Sequence, residues 1–332
     1  MIHINKFKYY NWLFRTQSIS YHQRVMKLIS SYVVLRFFNF IFLFVFLTSF
    51  VPTMAQNNPN EKNWTQLFNG KDLLNWNIKI VGHDVNDNYG NTFRVEDGKI
   101  KISYDEYEEF GGKFGFLFHR EKFSYYTLAV EYRFVGKPIP GAPDWVSPIN
   151  SGVMFHAQSP HSMGKNQNFP ISIAIQLRGA AGSETIPTAN LCPLGTVVEL
   201  NGKPATEDCI MSRSRTYPEN QWVRMEINVF GGTKIEHIVE GTTVMTYTKP
   251  RILQDKRDYF DPNAKADETV LEDGTLLERG YIVLQSESHP IEFRKIELLN
   301  LMGCTDPQAL NYKSYYVKSD NSQCKYYPSD KP

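Results

Sequence analysis

The sequence predicts an all-β fold, an antiparallel β-sandwich, on three observations. Short segments of alternating or β-branched and aromatic character recur along the chain, Gly, Pro and Asn turn signals separate them, and no long amphipathic helical repeat interrupts them. Aromatic residues make up 14% of the 332 positions, with Phe and Tyr far above Trp, which suits pleated, half-buried surfaces and the platforms on which sugar rings stack. The net charge of +1 argues against nucleic acid or another polyanion as a partner.

The first 55 residues stand apart. Phe37 to Val51 is almost wholly apolar, Lys27 and Arg36 precede it, and Thr53-Met54-Ala55 supplies a small-residue cleavage pattern before Gln56. This predicts a secretory signal peptide over residues 1–55, with Met26 as an alternative start because the stretch before it is long and polar for a signal n-region. An uncleaved anchor is the competing reading, against which the run is shorter than the about 20 residues a comfortable span needs. No Cys stands directly after the run, so a lipoprotein anchor has no support. The expectation is an exported protein, periplasmic or extracellular, with no stable membrane anchor after cleavage.

A polar leader covers 56–62, and one large domain is predicted from 63 to 300. Trp64 to Leu73 opens it, with Asn69-Gly70 as a turn. Phe93-Arg94-Val95 and Lys99 to Ile102 flank Glu96-Asp97-Gly98, a hairpin with Asp-Gly at its turn. Strands are then predicted at 115–119, 125–134, 152–157, 171–177, 222–230, 234–239, 243–248, 281–285 and 291–299. The stretches 137–149 and 180–217 exceed hairpin loops and read as rims around a cleft.

Only four cysteines occur, all beyond the apolar run. Cys192 pairs naturally with Cys209 and Cys304 with Cys324, each closing a short loop in an oxidising compartment. Zinc is the alternative, but no C-x-x-C pair supports it. The Cys304–Cys324 segment, residues 301–332, is too small for a core of its own. It resembles the short GC-TDP-A-NY…DNSC modules appended to secreted proteins, and its Asp306 and Asp320 are candidate calcium ligands beside the plainer reading of a stapled loop.

Function is sought where apolar strands carry polar residues, since such groups are costly on a packed face unless partnered. Ile149 to His156 presents Asn150, Ser151 and His156, and Ile282 to Glu287 presents Gln285 and Glu287 on one face by period two. His156 can serve as base, hydrogen-bond donor or metal ligand, or be a structural histidine. Glu131 and His237 are further candidates for the polar face. Asp144 and Trp145, on a Pro-rich rim, are a carboxylate and an indole of the kind that edges a sugar site. Arg294 alternates with Glu292, which predicts an internal ion pair.

The segments LFNGKDLLNW, SPINSGVMFHAQSP, FPISIAIQLRG, PTANLCPLGT, QWVRMEINVFG and YIVLQSESHPIEFRKIEL, in this order over residues 64–299, resemble the 3-keto-disaccharide hydrolase family, also called domain of unknown function 1080. The resemblance implies a concanavalin A-like jelly-roll sandwich of the lectin and glucanase type. It also implies chemistry on sugars oxidised at carbon 3. The keto group acidifies the carbon 2 hydrogen, a base removes it, and the substituent on carbon 1 leaves; addition of water completes hydrolysis. This needs a base, a group over the enolate oxygen and a proton for the leaving oxygen. A divalent metal is a possible cofactor, with His156 and Glu287 as its candidate ligands.

The catalytic candidates for these roles are therefore His156, Glu287 and Glu131, and the candidate contacts to an oxidised glycoside or another carbohydrate are Asn150, Ser151, Gln176, Gln285, Asp144, Trp145 and His237. Of these, Gln176, Gln285 and Glu287 match positions in the family's strands, and the others are read from the residues themselves. The chain departs from the family at Ala174, where relatives carry Glu two residues before the strand Gln. That departure favours, as the alternative, a non-catalytic carbohydrate-binding module. An ordinary laminarinase-like hydrolase on this fold would need paired carboxylates such as E-x-D-x-x-E on one strand, and none occurs.

Overall fold

The computed structural model describes residues 58–143, 149–180, 185–253 and 272–327. The signal-peptide reading, the start at Met26 and the first two residues of the polar leader lie outside the described residues, as do Asp144 and Trp145.

Strands follow one another with almost no helix between them. They are β1 (Trp64–Gln66), β2 (Trp76–Ile80), β3 (Phe93–Glu96), β4 (Lys99–Ile102), β5 (Gly115–Phe123), β6 (Tyr125–Phe134), β7 (Asn150–Ala157), β8 (Ser172–Arg178), β9 (Asn190–Leu194), β10 (Thr196–Leu200), β11 (Lys203–Ala205), β12 (Val223–Phe230), β13 (Lys234–Val239), β14 (Thr242–Ile252), β15 (Gly280–Ser286), β16 (Ile291–Asn300), β17 (Met302–Gly303) and β18 (Lys318–Ser319). A ten-stranded sheet runs β11-β10-β14-β13-β12-β6-β16-β4-β3, with β1 beside β16, and a six-stranded sheet runs β2-β5-β15-β7-β8-β9. Pairing within both is antiparallel. The fold is a jelly-roll β-sandwich of the lectin and glucanase type.

The alternation in sequence decides which side of each strand packs. Along β12, Val223, Met225, Ile227 and Val229 are buried while Arg224, Glu226, Asn228 and Phe230 are half-buried. Leu128, Val130, Phe293 and Ile100 join them on the inner face, opposite Leu117, Val153, Ile175 and Leu284 of the six-stranded sheet, all eight with no exposed surface. Each such side chain contributes about 1.5–3 kcal/mol by leaving water. Gly115 and Ser286 mark the inner side of the six-stranded sheet, since a Cβ on Gly115 would press on Ser286 Oγ and on the Phe93 ring of β3. Gly152, Gln176 and Gln285 alternate with that set and face away from the ten-stranded sheet; this outward face is the one on which the sequence places the cleft.

The stretch 180–217 corrects the sequence reading. Instead of a plain rim loop it supplies β9, β10 and β11, which extend both sheets. Asn190–Leu194 contains a proline and β11 is three residues long, so no period-two pattern announces them; pairing with β8 and β14 makes them strands. The disulfide Cys192–Cys209 pins this excursion to β9.

Cys304–Cys324 closes the C-terminal segment. That segment is tied to the chain's beginning: Lys313 Nζ donates to the Asn58 carbonyl at 3.0 Å and Ser314 N to that of Pro59 at 2.9 Å. Leu301 N donates to Tyr125 O at 2.9 Å, which joins it to β6. Asp306 accepts from Tyr326 Oη at 2.6 Å and Gln308 N at 2.9 Å. Asp320 accepts from Ser322 Oγ at 2.5 Å and Gln323 Nε2 at 2.6 Å. The two carboxylates proposed for calcium thus serve separate turns. Among the described residues no group of three His, Cys, Asp or Glu side chains converges on one point.

Candidate active site

The cleft face of the six-stranded sheet gathers a polar cluster where β15, β7 and β8 lie side by side. Gln285 is opposite Gly152 and Gly152 opposite Gln176, while Asn150 is opposite Arg178. Glu287, just past β15, is 5% exposed and turns its carboxyl into this cluster. Gln285 Nε2 donates to Glu287 Oε2 at 2.5 Å, Asn150 also hydrogen-bonds the carboxyl, and the charge of Arg178 stands beside it. Burial pushes the Glu287 pKa up to about 8, against the opposing pull of Arg178, Gln285 and Asn150. Desolvation disfavours the charged form, and here it outweighs its neighbours.

Gly152 is needed for this arrangement. A Cβ there would run into Gln285 Oε1 and would lie 3.4 Å from the Ile175 carbonyl. The missing side chain lets the Gln285 amide lie across β7 and reach the carboxyl. Gln176 is half-buried at the open side of the cluster, and Asn190 Nδ2 donates to Gln176 Oε1 at 3.3 Å, linking β9 to the floor. Asn150 is 3% exposed, and its Oδ1 is a buried acceptor without a partner.

His156 belongs elsewhere. In a regular strand it would share the cleft face with Met154, but β7 carries an extra residue: Tyr281 pairs with Ala157 and Val283 with Met154, so Phe155 and His156 together oppose Ile282. His156 takes a left-handed φ of 48° at this β-bulge. Gly280 on β15 permits this, since any Cβ there would strike the His156 backbone. The bulge turns the imidazole between the sheets, where Nε2 meets the Gly231 carbonyl at 3.2 Å. Burial lowers its pKa to about 4. His156 therefore shares no site with Glu287, and the metal pair proposed from them does not fit the chain.

Three further candidates are corrected by the same reasoning about faces. Ser151, next to Asn150, necessarily points the other way, and its hydroxyl is spent on the Gln285 carbonyl at 2.8 Å. His237 points inward from β13, between the Ala189 carbonyl at 3.0 Å and Tyr247 Oη at 2.9 Å; burial lowers its pKa to about 4. Glu131 is on the outer face of the ten-stranded sheet, where it accepts from Arg294 Nε at 2.7 Å and Lys295 Nζ at 2.8 Å. Burial works against its ionisation, but these bonds hold the carboxyl below the usual range. Arg294 accordingly pairs across strands with Glu131, while Glu292 pairs with Arg133 at 2.7 Å; the expected Arg294–Glu292 pair is replaced by two cross-strand ones.

Arg178 is the functional residue that sequence reading missed. The signal was present, since period two puts it on the same face as Gln176. Ala174 is on that face too, 4% exposed, between Met154 and Cys192. That row is apolar and closed off, so the polar cluster ends at Gln176 and Asn190.

A buried, proton-retaining carboxyl among amides and a guanidinium, on the outward face of a β-sandwich, is the arrangement of a candidate acid–base site. The chain belongs to the family of 3-keto-alpha-glucoside-1,2-lyase-like domains, whose profile matches residues 63–299. Among solved structures it is similar to a protein assigned provisionally as a glycosyl hydrolase from Parabacteroides distasonis, at 18% identity over 72% of this chain and 100% of that one, with a TM-score of 0.41. It is also similar to a Bacillus subtilis protein of unknown function with a galectin-like fold (12% identity, 72% and 97% covered, TM-score 0.42). A Bacillus licheniformis beta-glucanase is a third (11% identity, 73% and 99% covered, TM-score 0.38). No curated protein sequence matches the chain.

Proposed function

We propose that this protein is an exported enzyme that cleaves 3-keto-glycosides by elimination, with Glu287 as the base. The observation that carries the reading is the Glu287 carboxyl, buried and raised to about 8, since a carboxylate with that affinity can take a weakly acidic carbon-bound proton. Glu287 removes the carbon 2 hydrogen, and the electron pair forms the carbon 1–carbon 2 double bond as the bond from carbon 1 to the glycosidic oxygen breaks. The proton held by Glu287 then passes to the departing oxygen, so that proton and charge balance. Arg178 supports negative charge developing on the carbon 3 oxygen, and donors fixed before reaction are the strongest means of doing so. Gln285 and Asn150 hold the carboxyl, and Gln176 meets sugar hydroxyls at the open side. Export through the N-terminal apolar run agrees with two disulfides, which persist in oxidising compartments.

The test is product analysis with a 3-keto-disaccharide, protium or deuterium at carbon 2. A primary isotope effect on release of the carbon 1 substituent, abolished in Glu287→Gln, is the expected result. Intact substrate after prolonged incubation, bound but unchanged, would replace this reading with the second one: a carbohydrate-binding module, favoured by Ala174 where relatives carry Glu.

A further inference from the structure

Asn150 holds a buried acceptor that the fold itself leaves unanswered. Its residue is 3% exposed, its Oδ1 has no partner, and its side chain is oriented by the hydrogen bond to the Glu287 carboxyl. The strand register adds to this, because Asn150 lies opposite Arg178 with Gly152 and Gln176 one step along on the same face. Amide, guanidinium and carboxyl therefore converge on one small volume. A buried acceptor without a donor is costly and calls for a partner, and this one sits beside a carboxyl raised by burial, where a bound hydroxyl can supply it. Of all the substituents on the sugar, the one attached to the carbon whose hydrogen Glu287 removes is nearest to a group bonded to that carboxyl.

We infer that Asn150 Oδ1 accepts a hydrogen bond from the hydroxyl on carbon 2 of the substrate, making the protein selective for 3-keto-glycosides with a free carbon 2 hydroxyl over their 2-deoxy and 2-O-alkyl counterparts. This rests on the proposed elimination for its placement of the sugar, but not for its discrimination. The 2-deoxy sugar keeps an acidic carbon 2 hydrogen, so its chemistry remains open; only the donor is gone. A site built to bond a hydroxyl rejects the analogue lacking it by large factors, on the order of 100-fold or more, because the protein's buried group is left unpaired.

The experiment compares a 3-keto-glucoside with its 2-deoxy analogue, in wild type, Asn150→Ala and Asn150→Asp. kcat/KM is measured for turnover and calorimetric Kd for binding, with circular dichroism confirming the fold of each variant. Wild type should prefer the 2-hydroxy sugar by about 100-fold, the loss expected for one buried acceptor left unpaired. Asn150→Ala should lose most of that ratio whatever happens to its absolute rate, and Asn150→Asp, which keeps an acceptor, should retain a preference. Equal handling of the two sugars by wild type, or an unchanged ratio in Asn150→Ala, overturns the inference. If neither sugar is turned over while the Kd ratio persists in wild type and collapses in Asn150→Ala, the elimination fails and the Asn150 contact stands.

Discussion

A carboxyl raised to about 8 by burial is a base only when its proton has left, so activity should climb with pH through neutrality and level off above about 8, measured as kcat/KM against pH. Glu287→Gln should lower turnover by about two to four powers of ten. The same variant should be more stable than wild type at alkaline pH. The folded state binds the Glu287 proton more tightly than the unfolded chain, so wild type loses stability as pH rises from the ordinary carboxylate range to about 8, and Gln has no proton to lose. Thermal melts at pH 5 and pH 9 check this: the variant's advantage should appear only at the higher pH. His156 and His237 work in the opposite sense. Both fall from 6.5 to about 4 on burial, so each supports the fold above pH 6.5 and withdraws that support as pH falls toward 4. Ala174→Glu would bury a carboxyl between Met154 and Cys192, costing on the order of 2 kcal/mol or more, visible as a lowered melting temperature with no gain in turnover.

At the scale of the element, β7 decides the site twice. Its bulge sends His156 between the sheets, and its glycine at 152 lets Gln285 cross to Glu287. Gly152→Ala should displace the Gln285 amide and loosen the carboxyl it holds. A shift of about 1 Å in a catalytic group costs about 100-fold in rate, so the variant should fold and bind sugar while losing most of its turnover. Undiminished kcat in Gly152→Ala would mean that the Gln285 bond is not needed. Strand alternation was legible in the sequence for β12, and it correctly implied that Gln285 and Glu287 share a face. It gave the wrong face for His156 because a bulge adds one residue to one strand alone, and the deciding partner, Gly280, is more than a hundred positions away.

For the molecule as a whole, the Cys304–Cys324 segment and the site lie on different sheets: the segment bonds to residues 58 and 59 and to β6 of the ten-stranded sheet, whereas Glu287 faces outward from the six-stranded one. Cys304→Ser with Cys324→Ser should therefore cost about 3 kcal/mol of stability, as expected for a loop of this length, without altering kcat/KM. A matching loss of catalysis would show that the two regions are coupled. The sequence by itself determined the all-β class, most strand positions, both cysteine pairs, and the family, because period-two alternation, turn residues and local motifs are written in neighbouring positions. Only the tertiary structure decided which polar residues meet. Glu131, His156, Ser151 and His237 left the site and Arg178 entered it, since face and partner depend on register, bulges and the pairing of strands far apart in the chain, and no local pattern encodes these.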